Sequence, residues 1–320
     1  MRIVLCGETF PPSRDILAPF LPDEEVVRVP VATLDDAVRG ADVLIPMMTR
    51  VGARLIARTS ARLIQQWGAG LEGVDVDAAS AHGIYVCNVP SDVTPNAEST
   101  AEHAVLLMLA SARRLRVGFT SFERGLWGAP LGESLFGKRA LIFGFGRIGK
   151  ALARRLVALG MEVDAIRRSP QDDEADRAGV RSVAAPGAFL SLAAEADFVV
   201  STATLTDDSR GLIGDRLFRV MKRSAFVINV SRGAIIDEPA LLQALNEERI
   251  AGAGLDVFAD EPIDASHPLL ACENVIATPH IGGVTRESYD GIAREIAANV
   301  IAVKEGRLPQ YCVNHGALTR

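Results

Sequence analysis

Three polar side chains in the second half of this chain are of the types that bind an acid and move a proton. Arg232 stands in Ile228-Asn229-Val230-Ser231-Arg232-Gly233. Glu261 closes Gly254-Leu255-Asp256-Val257-Phe258-Ala259-Asp260-Glu261-Pro262, and His280 stands in Thr278-Pro279-His280-Ile281-Gly282-Gly283. A guanidinium offers a carboxylate a forked pair of hydrogen bonds. An imidazole exchanges a proton near neutral pH. A carboxylate beside that ring fixes its tautomer and favours its protonated form. Each stretch reads as a short strand with its polar residue just beyond, so all three groups would lie past the carboxyl ends of strands. In open α/β sheets that edge is where ligands bind. Singly, each residue has an ordinary reading: Arg232 a surface ion pair, Glu261 a turn acid before a proline, His280 a satisfied loop histidine. Three such residues at successive strand ends argue for a site.

Upstream lies Gly144-Phe145-Gly146-Arg147-Ile148-Gly149, after the apolar run Ala140–Phe143 and before a helical stretch, Lys150–Leu159, with Gly160 as its cap. In this G-x-G-x-x-G pattern, Gly144 permits a tight turn, Gly146 lets the backbone approach a pyrophosphate and Gly149 lets the helix pack closely on the sheet. The helix N-terminus adds N–H groups and a positive dipole end. The alternative is a glycine-rich turn with no ligand. With a nicotinamide cofactor at this turn as hydride source, the Arg–Glu–His set implies interconversion of a 2-oxo acid and a 2-hydroxy acid.

The residues after the second strand, Met161–Ile166, bear on which cofactor. NAD enzymes of this fold place an acid there for the ribose 2′-hydroxyl. Here the strand runs into Arg167-Arg168-Ser169, two guanidinium groups and a hydroxyl that suit a 2′-phosphate. Asp164 has the sequence spacing of a ribose-binding acid but falls inside the strand. NADP(H) is therefore the expected preference within NAD(P)H.

The elements that must position these groups alternate throughout, which predicts an α/β fold with parallel sheets. Strands are expected at Arg2–Leu5, Glu25–Arg28, Val43–Ile45, Leu63–Gln66, Tyr85–Cys87, Met161–Ile166, Phe198–Ser201, Phe226–Asn229, Gly254–Val257 and Val275–Ala277. Helical patterns fall at Leu34–Val38, Gly52–Arg58, Asn96 or Ala97 to Arg114, Asp172–Ala178, Leu212–Arg219, Glu238–Asn246 and Arg286–Lys304. Two βα arrays thus stand in tandem, joined by the long helix near residue 100. The last helix is expected to cross back and complete the first domain.

With 320 residues, 48% hydrophobic and 23% charged, the chain has the composition of a globular protein of about two domains. Its net charge of −6 argues against a nucleic-acid partner. Arg113, Arg114 and Arg116 read as complements to a helix dipole. The four cysteines (Cys6, Cys87, Cys272 and Cys312) have no metal-ligand spacing and read as free thiols in a reducing, cytoplasmic setting. No apolar run has the length of a membrane span, and the N-terminus reads as a first strand rather than a signal peptide.

These motifs together resemble the D-isomer-specific 2-hydroxyacid dehydrogenases over almost the whole chain. The resemblance rests on the glycine turn, Asn229-Val230-Ser231-Arg232-Gly233-Ala234-Ile235-Ile236-Asp237, Gly254–Phe258 with Glu261-Pro262, and Pro279–Gly283. It implies two Rossmann-like domains with the active site in a cleft between them. The dinucleotide domain, 99–286, would be inserted into a discontinuous substrate domain, 1–98 and 287–320. Arg232 would bind the substrate carboxylate, His280 would be the acid/base with Glu261 as partner, and Asp256 would bond the nicotinamide carboxamide. Trp67-Gly68-Ala69-Gly70 occupies the place of a loop whose N–H groups hold the substrate, although the run here is longer than usual. Arg167 stands at the usual ribose acid. Thr202 and Thr204 replace a His and a Pro near the cofactor.

The family implies a homodimer. Arg124-Gly125-Leu126-Trp127 matches a stretch that reaches a partner's active site in some relatives, while Trp127 as a dimer-core or domain-core aromatic is the plainer reading. The pocket for the substrate's side chain would include Met47-Met48-Thr49-Arg50 and Trp67, with Arg50 read as a solvated cap. The chain ends soon after the last helix, which leaves no room for the extra domain of some phosphoglycerate-oxidising relatives. Small acids such as glyoxylate and hydroxypyruvate are expected. The rival readings are a dehydrogenase for phosphoglycerate, a phosphorus oxyacid or a formate-like anion, and a non-catalytic NAD(P) sensor. The intact His280–Glu261 pair favours the hydroxy acid, since formate has no hydroxyl to deprotonate. Sensors of this fold lose part of the catalytic set.

Overall fold

The computed structural model describes residues 1–171 and 179–318. The helical expectation at Asp172–Ala178 lies outside them. The chain divides into two compact units, Met1–Asn96 with Thr285–Arg320, and Ala97–Val284. Each boundary falls two residues before the one expected from the sequence.

The first unit holds five strands: β1 (Arg2–Cys6), β2 (Glu25–Val29), β3 (Val43–Ile45), β4 (Leu63–Gln65) and β5 (Tyr85–Cys87). They form one parallel sheet in the order β2-β1-β3-β4-β5. Both faces are covered, so the central strands run apolar without alternating, Ile3–Cys6 in β1 and Val43–Ile45 in β3. Ile3 and Leu5 join one core while Val4 and Cys6 join the other. The helix Arg286–Lys304 lays Ile292, Ala293, Ile296, Ala297, Val300 and Val303 on the first of these cores. That spacing of three and four is one face of a helix, and burying each large aliphatic contributes about 1.5–3 kcal/mol. Thr285 caps the helix by accepting from the Ser288 N–H at 3.2 Å.

The second unit holds seven: β6 (Arg139–Phe143), β7 (Glu162–Ile166), β8 (Ser182–Ala184), β9 (Phe198–Ser201), β10 (Phe226–Asn229), β11 (Gly252–Leu255) and β12 (Val275–Ala277). Their order is β12-β11-β10-β9-β6-β7-β8, all parallel. This is the doubly wound dinucleotide-binding order with one further strand, and it reverses direction between β6 and β9. Helices Asn96–Ala112 and Arg147–Ala158 cover one face, and Phe189–Glu195, Asp215–Phe218 and Glu238–Asn246 the other.

Three expectations change. The long helix stops at Ala112, and Arg114, with φ of 50°, turns the chain into a second helix, Leu115–Glu123. Arg116 serves the end of a different helix from the one assigned to it: its Nη1 donates to the carbonyls of Leu270 and Cys272, both at 2.9 Å, at the end of Pro268–Ala271. Strand β8 was not expected, because it is three residues long and only half-buried. Among the described residues no helix is long and apolar enough to cross a membrane.

Candidate active site

Because the strands of the second sheet are parallel, Arg232, Glu261 and His280 follow the carboxyl ends of three neighbours, β10, β11 and β12. The Arg232 turn is held by buried Asn229. Its Nδ2 donates to the Arg232 carbonyl at 2.9 Å, and its Oδ1 accepts from the Ser231 N–H and hydroxyl at 3.1 and 2.8 Å. Ser231 also bonds Ser201 at the end of β9, 2.7 Å away. Gly233 then packs backbone to backbone on the next loop, where a Cβ would stand 1.8 Å from the Phe258 carbonyl carbon. Only glycine allows this approach, and it sets the arginine turn beside the loop that carries Glu261.

Glu261 is largely buried and held at both oxygens. Oε1 accepts from the Phe258 N–H at 2.7 Å, and Oε2 lies 2.6 Å from His280 Nδ1. A carboxylate can only accept, so Nδ1 carries the proton and Nε2 is the nitrogen that exchanges one. His280 adopts φ of 55°, a left-handed conformation rare for a residue with a side chain. Asp256 enforces it. The Asp256 carbonyl accepts from the His280 N–H at 2.8 Å, while its carboxylate accepts from the N–H groups of Ile281 and Gly282, each at 2.8 Å.

Asp256 is itself 2% exposed. His103 Nε2 donates to the Thr278 hydroxyl at 2.8 Å, and that hydroxyl donates to Asp256 Oδ1 at 2.6 Å. Burial pushes the Asp256 carboxyl up, but the hydrogen bonds of His103 and Thr278, the attraction of the His103 ring and the Ile281 N–H outweigh it, and the acid lies below its ordinary range. Oδ2 accepts from the Gly282 N–H and has room for one more donor. The sequence reading missed His103, Thr278, Asn229 and Ser231 as supports. The only available signal was a histidine on the apolar face of a predicted helix.

The glycine turn has the three properties expected of it. Gly144 has φ of 99°, and a Cβ there would stand 2.5 Å from the Ala203 backbone. A Cβ on Gly149 would meet the Gly144 carbonyl oxygen at 2.3 Å, whereas one on Gly146 would meet nothing within 4 Å. The backbone at Gly146 can therefore be approached closely, at the start of the helix Arg147–Ala158, and the turn fits a bound pyrophosphate. Phe145 is buried beneath the turn, with Lys150 over its ring. The Thr202 hydroxyl donates to the Gly144 carbonyl at 2.5 Å, so this residue braces the turn.

The Gly144 N–H bonds the Ile166 carbonyl at 3.0 Å, which sets the end of β7 and the following Arg167-Arg168-Ser169 beside the turn. Arg168 and Ser169 are exposed and Arg167 is half-buried. Asp164 is buried at 1% exposure and accepts from the Ser182 hydroxyl at 2.6 Å, directed into the sheet. The concavity lined by Ser111, Gly132, Phe226 and Asn274 lies at the opposite, amino-terminal edge of this sheet.

In the first unit, the loop after β4 is anchored through its carbonyls. Val89 N–H donates to Gly68 O at 2.9 Å, and Asn88 Nδ2 to Ala69 O at 2.8 Å. Among the described residues the N–H groups of Gly68, Ala69 and Gly70 make no hydrogen bond. Trp67 packs edge-on against Tyr289, Met47 is core, and Arg50 is exposed. Trp127 is 85% exposed, so it is not a domain-core residue.

The family model for the D-isomer specific 2-hydroxyacid dehydrogenase NAD binding domain matches residues 105–282. The chain is 36% identical over 301 residues to a glyoxylate reductase of Thermococcus litoralis, covering 91% of this chain and 88% of that one. It is similar to the solved structure of a Thermus thermophilus protein, with a TM-score of 0.85, 34% identity, and 98% and 100% of the two chains covered. It is also similar to an NADPH-dependent glyoxylate/hydroxypyruvate reductase from Sinorhizobium meliloti, solved with NADP and malonate, with a TM-score of 0.82, 28% identity, and 98% and 96% covered. The chain therefore belongs to the D-isomer specific 2-hydroxyacid dehydrogenases, oxidoreductases that interconvert 2-oxo acids and 2-hydroxy acids with a nicotinamide cofactor.

Proposed function

We propose that this chain reduces small 2-oxo acids such as glyoxylate and hydroxypyruvate to D-2-hydroxy acids with NADPH, and that Arg232, Glu261 and His280 are its catalytic residues. The observation that carries the roles is the 2.6 Å pair of His280 Nδ1 and Glu261 Oε2 on the loop packed against the Arg232 turn. Arg232 grips the substrate carboxylate through its two-pronged guanidinium. The N–H groups of Gly68, Ala69 and Gly70 are a second carboxylate-binding set. His280, protonated and backed by Glu261, delivers a proton from Nε2 to the substrate's C2 oxygen. A reduced nicotinamide supplies hydride to C2. Hydride and proton together convert the ketone or aldehyde to the alcohol, and the reverse path returns both. Gly144 through Gly149 would hold the pyrophosphate, and Asp256 would bond the carboxamide.

The preference for NADPH rests on Arg167, Arg168 and Ser169 after β7, and on the burial of Asp164 away from that edge. The Thermococcus and Sinorhizobium relatives support the substrate class by their names, and the latter supports the cofactor. Assaying glyoxylate and hydroxypyruvate with each cofactor, in the native chain and in Arg168→Ala, tests both. Native turnover is expected with NADPH. In the variant the NADPH/NADH ratio of kcat/KM is expected to fall about tenfold, about 1.4 kcal/mol. Turnover of neither acid overturns the substrate assignment, and an unchanged ratio overturns the cofactor assignment.

The chain also functions as a homodimer. Phe119, Phe122, Leu126, Trp127, Leu131 and Phe136 are all exposed within one segment, Trp127 at 85% and Leu131 at 92%. So dense an apolar surface is the mark of an interface. Light scattering is expected to give twice the 34.1 kDa chain mass, and Phe122→Ser with Trp127→Ser to shift it to the monomer. A monomeric native protein at micromolar concentration would remove the assignment.

A further inference from the structure

Two of the free cysteines face each other in the first unit. Cys87 is the last residue of β5, the edge strand of its sheet, and is fully buried. Cys312 lies on the segment after the last long helix and is half-exposed. The two form an antiparallel bridge. Its flanking hydrogen bonds run from Val313 N to Val86 O at 2.8 Å and from Asn88 N to Tyr311 O at 3.4 Å. Those bonds lie one residue to either side, so Cys87 and Cys312 are a non-hydrogen-bonded pair. Such pairs hold their Cα atoms about 4.5 Å apart with side chains on the same side. Disulfides span Cα separations of about 4.4–6.8 Å.

The two thiols also shift one another's acidity. The neighbouring Cys87 thiol pulls the Cys312 thiol down to about 6 against the opposing effect of burial. The Cys312 thiol and burial push Cys87 up. In its thiol form Cys312 faces Asn314 Oδ1 at 3.3 Å. The other two cysteines have no such arrangement. Cys6 is buried in β1 with its thiol pushed up to about 12. Cys272 belongs to the other unit and donates to Pro268 O.

We infer that Cys87 and Cys312 form a reversible cross-link under peroxide, with Cys312 as the attacking sulfur. The Cys312 thiolate attacks one oxygen of hydrogen peroxide, the O–O bond breaks, and a sulfenic acid forms as hydroxide leaves and takes a proton from solvent to become water. The Cys87 sulfur then attacks the Cys312 sulfur. The S–S bond forms, the S–O bond breaks, and a second water carries away the Cys87 proton. Two thiols lose two electrons and the peroxide gains them. The loop so closed contains residues 88–311, and with them the whole of the second unit and both passages of the chain between units. The modification therefore ties β5 to the C-terminal segment and constrains the unfolded chain over a long span.

The test is hydrogen peroxide titration of the full chain, followed by alkylation, digestion and mass mapping. Free thiols are expected to fall from the four of the reduced chain to two. A linked peptide holding Cys87 and Cys312 should appear at about 2 Da below the sum of its halves. Dithiothreitol should reverse it, and the oxidised protein should unfold several degrees higher. Cys312→Ser should lose the link and the shift together. Cys87→Ala should leave Cys312 as a sulfenic acid that dimedone labels. The native-chain mapping needs neither variant. Oxidation of Cys272 alone, overoxidation of Cys312 with no linked peptide, or a thiol count that stays at four would each overturn the inference.

Discussion

His280→Gln is expected to lower kcat for glyoxylate reduction by about 10²–10⁴, the range for removing a positioned acid/base. Glutamine roughly fills the space and can still reach Glu261, so the loop should survive. What it lacks is a proton to give at neutral pH. The loss should therefore fall on kcat in both directions, with the affinity for NADPH unchanged. His280 suits the role because Glu261 fixes the proton on Nδ1 and so makes Nε2 the nitrogen that exchanges one. Nδ1 is committed to Glu261 at 2.6 Å, and the glutamate is in turn fixed by the Phe258 N–H at 2.7 Å. The ring is thus held in one tautomer before substrate arrives, which removes a reorganisation from the barrier. Single-turnover rates measured by loss of NADPH absorbance separate this from product release. A variant with near-native kcat would end the assignment of His280.

Arg232→Lys is expected to lower kcat/KM for the same acid by about 10- to 150-fold, corresponding to about 1.5–3 kcal/mol for losing one hydrogen bond to a charged group. The charge is kept, so the experiment isolates geometry. A lysine ammonium is a point donor and cannot present two parallel N–H bonds to one carboxylate. The turn should keep its shape, because Asn229, Ser231 and Gly233 hold its backbone, to which the Arg232 side chain adds one bond, from Nη1 to the Ser231 carbonyl at 2.8 Å. Titrating NADPH by fluorescence gives the control, with an expected change of less than about twofold. If lysine restores full kcat/KM, the forked clamp is wrong. If NADPH binding falls in parallel with turnover, the arginine acts on the cofactor and not on the substrate.

Much of the second unit's candidate site was legible because its signals are local. A turn that needs glycine at Gly144 and Gly149 writes that need into a six-residue pattern. Arg232, Glu261 and His280 each sit a few residues beyond an apolar run, so their placement on one sheet edge follows from strands that are parallel and consecutive. The supports were not legible. His103 reaches Thr278 across 175 residues of chain. Cys87 meets Cys312 only because the C-terminal segment returns to the edge strand. Strand β8 is too short and too exposed to carry a period of its own. The reading of Arg116 failed for a related reason, since the carbonyls it serves belong to a helix far along the chain.

The residues alone thus determined which chemistry this protein carries and on which edge of a sheet the candidate residues lie, because side-chain type and strand periodicity are properties of neighbours in sequence. The tertiary structure alone decided which nitrogen of His280 holds the proton and that Asp164 turns inward. It also decided that Asp256 spends most of its carboxylate on building the histidine loop. These are outcomes of hydrogen-bond geometry at about 3 Å between groups far apart in the chain, and no local pattern encodes such a distance.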